Sequence, residues 1–391
     1  IVFGDWSSDV CSSDLRTPTF TFNWDFNLNG PTNGSTANTK ALELQNGTLV
    51  LNNSGIDITL SSGGSDFEIP STTGLSILNG IARVTTAGSN GILLDGYINI
   101  EGTDAANQGQ LILDGGIGSD NYIQYSSSGN AEIRIATGKL VVGSQIRSST
   151  LNSLGVLRYS QLSKSGSTVQ SSVTVGLRSA PLNSRGIFEV YNPGSRFQIY
   201  NGTLTIARPH DNVATATRAA LYIDSQTTGL NQWGTIQIGD PVNNPAGGTV
   251  TINSTKDLCR MIVDGNSTAK LNVNSLGLLG ELDIRAGSSF DGSLLNLSLQ
   301  NDITNRGTVN LNVDTLSFIG GDQDIDGDIT ANNILVNPTT GVNLTGATNT
   351  VTANSNLIIS NGTLADNAHT IAVKGNVINN AVHSTTGLGR I

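Results

Sequence analysis

The sequence predicts an all-β chain wound as a right-handed parallel β-helix, or β-solenoid. Three observations carry that prediction. The phrase Asn-Gly-Thr-Leu returns at Asn46, Asn201 and Asn361. Short runs of alternating apolar residues begin about every ten residues, the spacing of an all-β chain. Aromatic residues are only 5% of the chain, too few for the wide core of a sandwich or barrel.

Each return of the phrase encodes one turn and one strand. Asn and Gly tolerate the left-handed backbone that reverses the chain. Thr then opens a strand, and every second residue is apolar and points inward. Variants are GTIQI from Gly234, GTVTI from Gly248 and GTVNLNV from Gly307. Between Leu258 and Phe318 the strand-like runs are RMIVD, KLNVN, ELDIR, LLNLSL and TLSF. Between Asp328 and Gly375 they are NNILVN, GVNLT, TVTAN, NLIIS and TIAVKG. No stretch carries a helical apolar stripe with caps. Disorder is the competing reading, but it needs high net charge or Pro-rich tracts. This chain has 9 Pro and 13% charged residues.

A sandwich would be built from hairpins with strands of matched length. A solenoid stacks each coil on the last, so each strand pairs with its equivalent one coil along. It accepts small aliphatic inward residues, and Asn or Thr can ladder along the axis. Parallel crossovers make the coil right-handed. Coils of ~20–25 residues give roughly 15–18 of them. Residues 16–165 form a first solenoid segment and 166–391 a second, with a soft boundary at 163–185. That stretch, SKSGSTVQSSVTVGLRSAPLNSR, is Ser-rich and includes Pro181.

The formal charge is −10 and the pI near 4.7. Nucleic acid needs a basic face, so it is excluded as a partner. No run approaches the ~18 apolar residues of a membrane helix, so direct membrane insertion is excluded too. Asp5 to Leu15, DWSSDVCSSDL, resembles the in-frame translation of a short-read sequencing adapter. Residues 1–15 are therefore read as foreign and disordered, which leaves Cys259 as the native thiol. A single thiol gives no disulfide framework. Within the strand-like run DLCRMIV it reads as a small core residue. The only Met is Met261, and the chain reads as a piece of a longer open reading frame.

Two segments carry a family resemblance. From Phe318 the chain reads FIGGDQDIDGDITANNILVN, a Q-x-I-x-G phrase followed by N-x-x-x-N and then short strands. From Ser119 it reads SDNYIQYSSSGNAEIRIATGKLVVGSQIRSS. Both resemble recurrent blocks of very large surface or secreted proteins of the Bacteroidota. The resemblance implies export, often by a type IX route, and an extracellular or cell-surface location. The C-terminal sorting domain usual in such proteins is not seen in this sequence. The partners it implies are surface glycans, neighbouring surface proteins and flanking repeats of the same chain.

The sharpest chemical signal is the string Asp322, Asp324, Asp326, Gly327, Asp328. Its D-x-D-x-D-G spacing matches the first half of an EF-hand-type loop, where alternate carboxylates converge on calcium. The twelfth position is Asn333, so the bidentate Glu is missing, and a solvated acidic turn is the competing reading. No other cofactor is expected. For an enzyme, the candidates are the paired acids Asp66 with Glu68 and Glu281 with Asp283, each pair sharing a strand face. They would suit a polysaccharide lyase or glycosidase, which needs two carboxylates, or calcium acids with a base. Acids on one solvated strand face are common, and no basic cluster accompanies them. His210, His369 and His383 lack metal-ligand spacing and read as surface residues. No phosphate-binding Gly loop or nucleophile elbow occurs. The N-x-[ST] triplets at Asn46, Asn201, Asn266 and Asn343 read as compositional. The expectation is a non-enzymatic stalk or adhesive scaffold; the alternative is a carbohydrate-active β-helix enzyme.

Overall fold

The computed structural model describes residues 2–3, 19–22, 26–29, 42–61, 66–84, 90–104, 106–116, 120–126, 129–150, 154–164, 166–178, 185–210, 219–227, 233–346 and 350–391. The string Asp5–Leu15 lies outside them. The described residues form no helix, and their strands pair in parallel, each with an equivalent strand one coil along. This is the all-β parallel solenoid expected from the repeats.

The chain divides into two compact units. One comprises Ile1–Val213 with Tyr222–Gly229, and the other Ala214–Leu221 with Leu230–Ile391. The Ser-rich stretch 163–185 lies inside the first unit, where it supplies the strand Ser172–Val175.

In the second unit one coil is three short strands joined by tight corners: Leu282–Ile284, Ser289–Asp291 and Leu297–Leu299. Successive coils are commonly 21 residues apart, as in the hydrogen-bonded pair Thr268 and Ser289. Strand alternation turns every second side chain inward, and coil stacking places equivalent side chains over one another. Met261, Leu282, Ile303, Ile325 and Leu344 form one such column. All five are buried. Burying each contributes roughly 1.5–3 kcal/mol, so the column outweighs any single surface pair. The axial amide ladder is also present. Asn356 Nδ2 donates to Asn333 Oδ1 at 2.9 Å, and Asn376 Nδ2 to Asn356 Oδ1 at 3.3 Å.

The first unit keeps three ladders but has looser corners. Its coil offset ranges from 23 residues between Ser76 and Asn99 to 42 between Ile146 and Phe188. The ladder between Gly47–Ser61 and Thr73–Arg83 shifts register between Leu51 and Asn52 and between Asn52 and Asp57. One face runs through Tyr97–Glu101, Asn130–Ala136 and Val156–Leu162. Another runs through Gln110–Leu113, Lys139–Val142, Ser172–Val175 and Thr203–Ile206. The third stacks Phe67–Ile69, Ile92–Leu94, Ile123–Tyr125 and Ile146–Ser148. Aromatics concentrate here. Tyr159 meets Phe188 edge-on at 4.9 Å and stacks on Phe197 at 5.7 Å. Gln161 brings a polar side chain into a column, between Ile135 and Ile199. Its amide is satisfied, because Tyr159 donates to its Oε1 and its Nε2 donates to Ser171 Oγ.

The recurring Asn-Gly turn has the conformation the phrase implies. Gly202 sits at φ +90°, and a Cβ there would lie 2.1 Å from the Ser171 carbonyl oxygen on the previous coil. Only glycine fits both the left-handed backbone and the close approach.

Candidate functional site

Three polar regions stand out from the stacked core. The first is an acidic outer face of the second unit. The string expected as a calcium loop or acidic turn is the strand Asp322–Asp326. Gln323 and Ile325 point inward, while Asp322, Asp324 and Asp326 line the outside. An extended strand spreads alternate carboxylates apart, whereas a calcium loop curls them around one point. Each acid is partnered, and Asp322 and Asp324 share one donor. Asn343 Nδ2 donates to Asp322 Oδ1 at 3.1 Å and to Asp324 Oδ1 at 3.3 Å. Asp326 pairs with Arg306, and Asp328 Oδ1 accepts the Thr350 backbone N–H at 2.5 Å.

The enzyme candidates Glu281 and Asp283 lie on the same face, brought there by coil register. Asp302 connects the two groups: its Oδ1 accepts the Asp324 backbone N–H at 2.8 Å. Arg260 holds both candidates, with Nε 3.0 Å from Glu281 and its guanidinium 3.4 Å from Asp283. Arg285 reaches Asp283 at 3.6 Å. The acids therefore converge as an ion-paired surface network.

The second region is a buried polar cluster in the first unit. Arg185 and Glu189 form an ion pair at 2.5 Å, with the Glu189 side chain fully buried. Glu189 also accepts the Gly186 N–H at 2.6 Å. Arg185 donates to Ser148 Oγ, which lies 2.5 Å from the Tyr191 hydroxyl. Tyr125 donates to the Glu189 carbonyl at 3.3 Å. Burial, followed by the Glu189 charge, holds the Tyr125 phenol well above its usual range. Nearby, the Arg147 guanidinium stacks 4.1 Å over the Tyr122 ring. Burial and then the charge of Asp66 push the Tyr122 phenol up to about 12. Asp66, an enzyme candidate, accepts both the Tyr122 hydroxyl at 3.2 Å and the Gly91 N–H at 2.7 Å. It ties corners of different coils together, while Glu68 is exposed on the same strand face. The sequence reading missed this cluster. Its one signal was Glu189 inside the apolar run GIFEV, where a charge must find a partner.

The third region is a cavity of about 220 Å³ at a corner of the first unit, lined by Leu93, Leu94, Asp95, Gln124, Ser126 and Ser149. Leu94, Tyr125 and Ser148 are register equivalents on three successive coils. Asp95, Ser126 and Ser149 follow them directly and form one polar row across the coils.

The histidines depart from the isolated surface role expected of them. His383 Nε2 lies 3.0 Å from the buried Asp366 carboxylate, and the ring nitrogens of His369 each lie 2.8 Å from a backbone carbonyl. His210 is partly buried. Cys259 is buried and free, as its apolar run implied, and burial pushes its thiol up to about 12. Among the described residues, no group of three or more His, Cys, Asp or Glu side chains is placed to hold one metal ion.

The fold defines a parallel β-solenoid built of two units. No protein family matches the chain, and neither the curated proteins nor the solved structures contain a match to it.

Proposed function

We propose that this chain is a non-enzymatic segment of an extracellular or cell-surface solenoid, acting as a structural stalk or adhesive scaffold. The column Met261–Leu282–Ile303–Ile325–Leu344 carries this reading. Such stacking makes stability a sum of neighbouring coil contacts, which suits a long load-bearing element. The pairing of Glu281 and Asp283 with Arg260 also supports it. A lyase or glycosidase needs a carboxylate or base free to move a proton, and these are held in ion pairs. Export through a type IX route, and partners among surface glycans, neighbouring surface proteins and flanking repeats, belong to the same proposal.

Stretching the purified chain by force spectroscopy tests it. A stalk of independent coils releases length in steps of one coil, about 70 Å for a 21-residue coil at ~3.4 Å per residue. A single all-or-none release would count against the stalk. In parallel, the chain is incubated with uronate-bearing and neutral polysaccharides. New reducing ends or unsaturated uronates would replace the scaffold by the carbohydrate-active enzyme.

A further inference from the structure

We infer that Arg158 and Arg196, stacked on adjacent coils of the first unit, form a clamp for a single oxyanion group, a carboxylate or a sulfate.

The inference starts from the coil register. The strands Val156–Leu162 and Phe188–Ile199 pair so that Arg158 lies opposite Arg196 and Ser160 opposite Gln198. The intervening Leu157, Tyr159, Phe197 and Ile199 are buried, so alternation turns these four residues outward. Both arginines are exposed. Adjacent strands lie about 4.8 Å apart, and like charges directly opposite one another destabilise the pairing. Elsewhere the outer faces follow the opposite rule. Arg260 meets Glu281 and Lys270 meets Asp291, each pair joining register equivalents on successive coils. The arginine pair is a local conflict of the kind that binding sites retain.

The charged groups around the pair leave it unneutralised. Among the described residues, no hydrogen bond or ion pair reaches either guanidinium. Arg134 and Lys164, on the same face, are held by Glu101. Glu132 stands opposite Arg158 on the preceding coil but forms no ion pair with it. Asp224, on the strand Leu221–Thr227 beyond Arg196, is engaged elsewhere. Two guanidinium groups beside one unpaired carboxylate make a local excess of positive charge on a chain whose formal charge is −10.

The donors select the ligand. Each guanidinium is a planar fork of N–H donors that matches two oxygens of one oxyanion and has no acceptor of its own. Two forks one coil apart offer one oxyanion donors from both sides, with the Ser160 hydroxyl and the Gln198 amide beside them. Hydrogen bonds between such charged partners are roughly twice as strong as neutral ones. A neutral ligand leaves the like-charge conflict in place, and a metal cation adds to it. Nucleic acid needs an extended basic face, whereas Arg134 and Lys164 are already taken.

The test uses the whole 391-residue chain with isotope-labelled arginine. NMR follows the arginine Nε–H signals while sodium sulfate or sodium acetate is added at constant ionic strength. Arg158→Gln and Arg196→Gln assign the two signals. Both signals should shift together and saturate, and either substitution should weaken the binding by about tenfold. Glu132→Gln removes the competing carboxylate and should tighten it. Without added anion, Arg158→Gln should melt no lower than the native chain, because it relieves the like-charge contact. Four results would overturn the inference. They are no saturable shift with either anion, an affinity that both arginine substitutions leave unchanged, binding that Glu132→Gln weakens, or a lower melting temperature for Arg158→Gln in anion-free buffer, which would make the pair structural. Dextran sulfate and polygalacturonate, compared with sulfate and acetate at equal concentrations of anionic groups, separate a group on a polymer from a free ion: tighter binding assigns the clamp to the polymer, equal binding to the ion. The clamp rests on the coil register alone, so its failure leaves the scaffold role standing.

Discussion

The carboxylate of Asp302 accepts the backbone N–H of Asp324 from the next coil, so two acids sharing one outer face are locked together. Burial raises the Asp302 carboxyl above its ordinary value. The hydrogen bond from Asp324 opposes that shift, and the charges of Asp324, Glu281 and Asp322 add to it. A carboxyl with a raised folded-state pKa favours the fold while protonated, and that contribution is lost as pH rises through the folded pKa. At neutral pH Asp302 is therefore a liability. Asp302→Asn keeps an oxygen for the Asp324 N–H and removes the charge. It should stabilise the chain at pH 7 by ~0.5 kcal/mol, the scale of a solvent-screened pair. The gain should shrink with added salt and vanish below the ordinary Asp range. Thermal melts across pH check this, and a variant less stable than wild type at pH 7 would refute it.

The same samples settle the calcium reading of Asp322, Asp324, Asp326 and Asp328. Asn343, Arg306 and the Thr350 N–H already occupy these carboxylates. Calcium binding would have to displace them. If it does, the melting temperature rises with added calcium and Asp324→Ala abolishes the rise. An unchanged melting temperature in both ends the calcium proposal.

The buried pair Arg185–Glu189 makes a sharper claim. Glu189→Gln leaves a guanidinium in the core without its counter-charge, which should cost about 3–5 kcal/mol. Replacing both residues together, Arg185→Met with Glu189→Leu, removes two charges whose desolvation the pair had to offset. The double variant should recover most of the loss. Denaturant titrations of Arg185→Met, Glu189→Leu and the double variant form the cycle. Strict additivity would mean the two side chains are not coupled.

Much of the fold was legible because alternation and turn chemistry are local. The run Leu282, Asp283, Ile284 declares a strand with its outer residue in the middle, and the structure has that pattern. Which outer residues meet is a different matter. Glu281, Asp302 and Asp324 share a face only because coil length brings them into register, and corner insertions vary that length. Asp95, Ser126 and Ser149 show the difficulty most clearly. They are neighbours in space, yet the coils separating them differ in length, so no fixed sequence period links them. The loop or turn expected at 322–328 is instead a strand over Asp322–Asp326 for the same reason. D-x-D-x-D reads as a loop when taken alone, but in a solenoid the same period is the outer edge of a strand.

Cys259 offers a probe of the stack that needs no substitution. Its side chain is buried, and its thiol is pushed up to about 12 by burial. The nucleophile is the thiolate, so the native chain at pH 8 should alkylate at this residue orders of magnitude more slowly than a model thiol of pKa ~8.5. Peptide-level mass spectrometry follows the site with rising urea. Labelling should appear with the unfolding of the second unit, and rapid labelling in native buffer would place Cys259 at the surface.

The Asn-Gly turns allow backbone conformation to be separated from coil packing. Gly202 and Gly116 both have positive φ, +90° and +95°. An added Cβ at Gly202 lies 2.1 Å from the Ser171 carbonyl oxygen, whereas at Gly116 nothing lies within 4 Å. Gly116→Ala therefore bears only the left-handed backbone penalty, about 1–2 kcal/mol. Gly202→Ala bears that penalty and also forces two coils apart where they approach closest, so the expected loss is ~3 kcal/mol or more. It should also raise hydrogen exchange at Thr203, whose N–H donates to the Ser171 carbonyl at 3.0 Å. Equal losses in the two variants would show that the Asn-Gly phrase serves the turn alone. An excess at Gly202 would show that the phrase recurs because the turn must also sit against the coil before it.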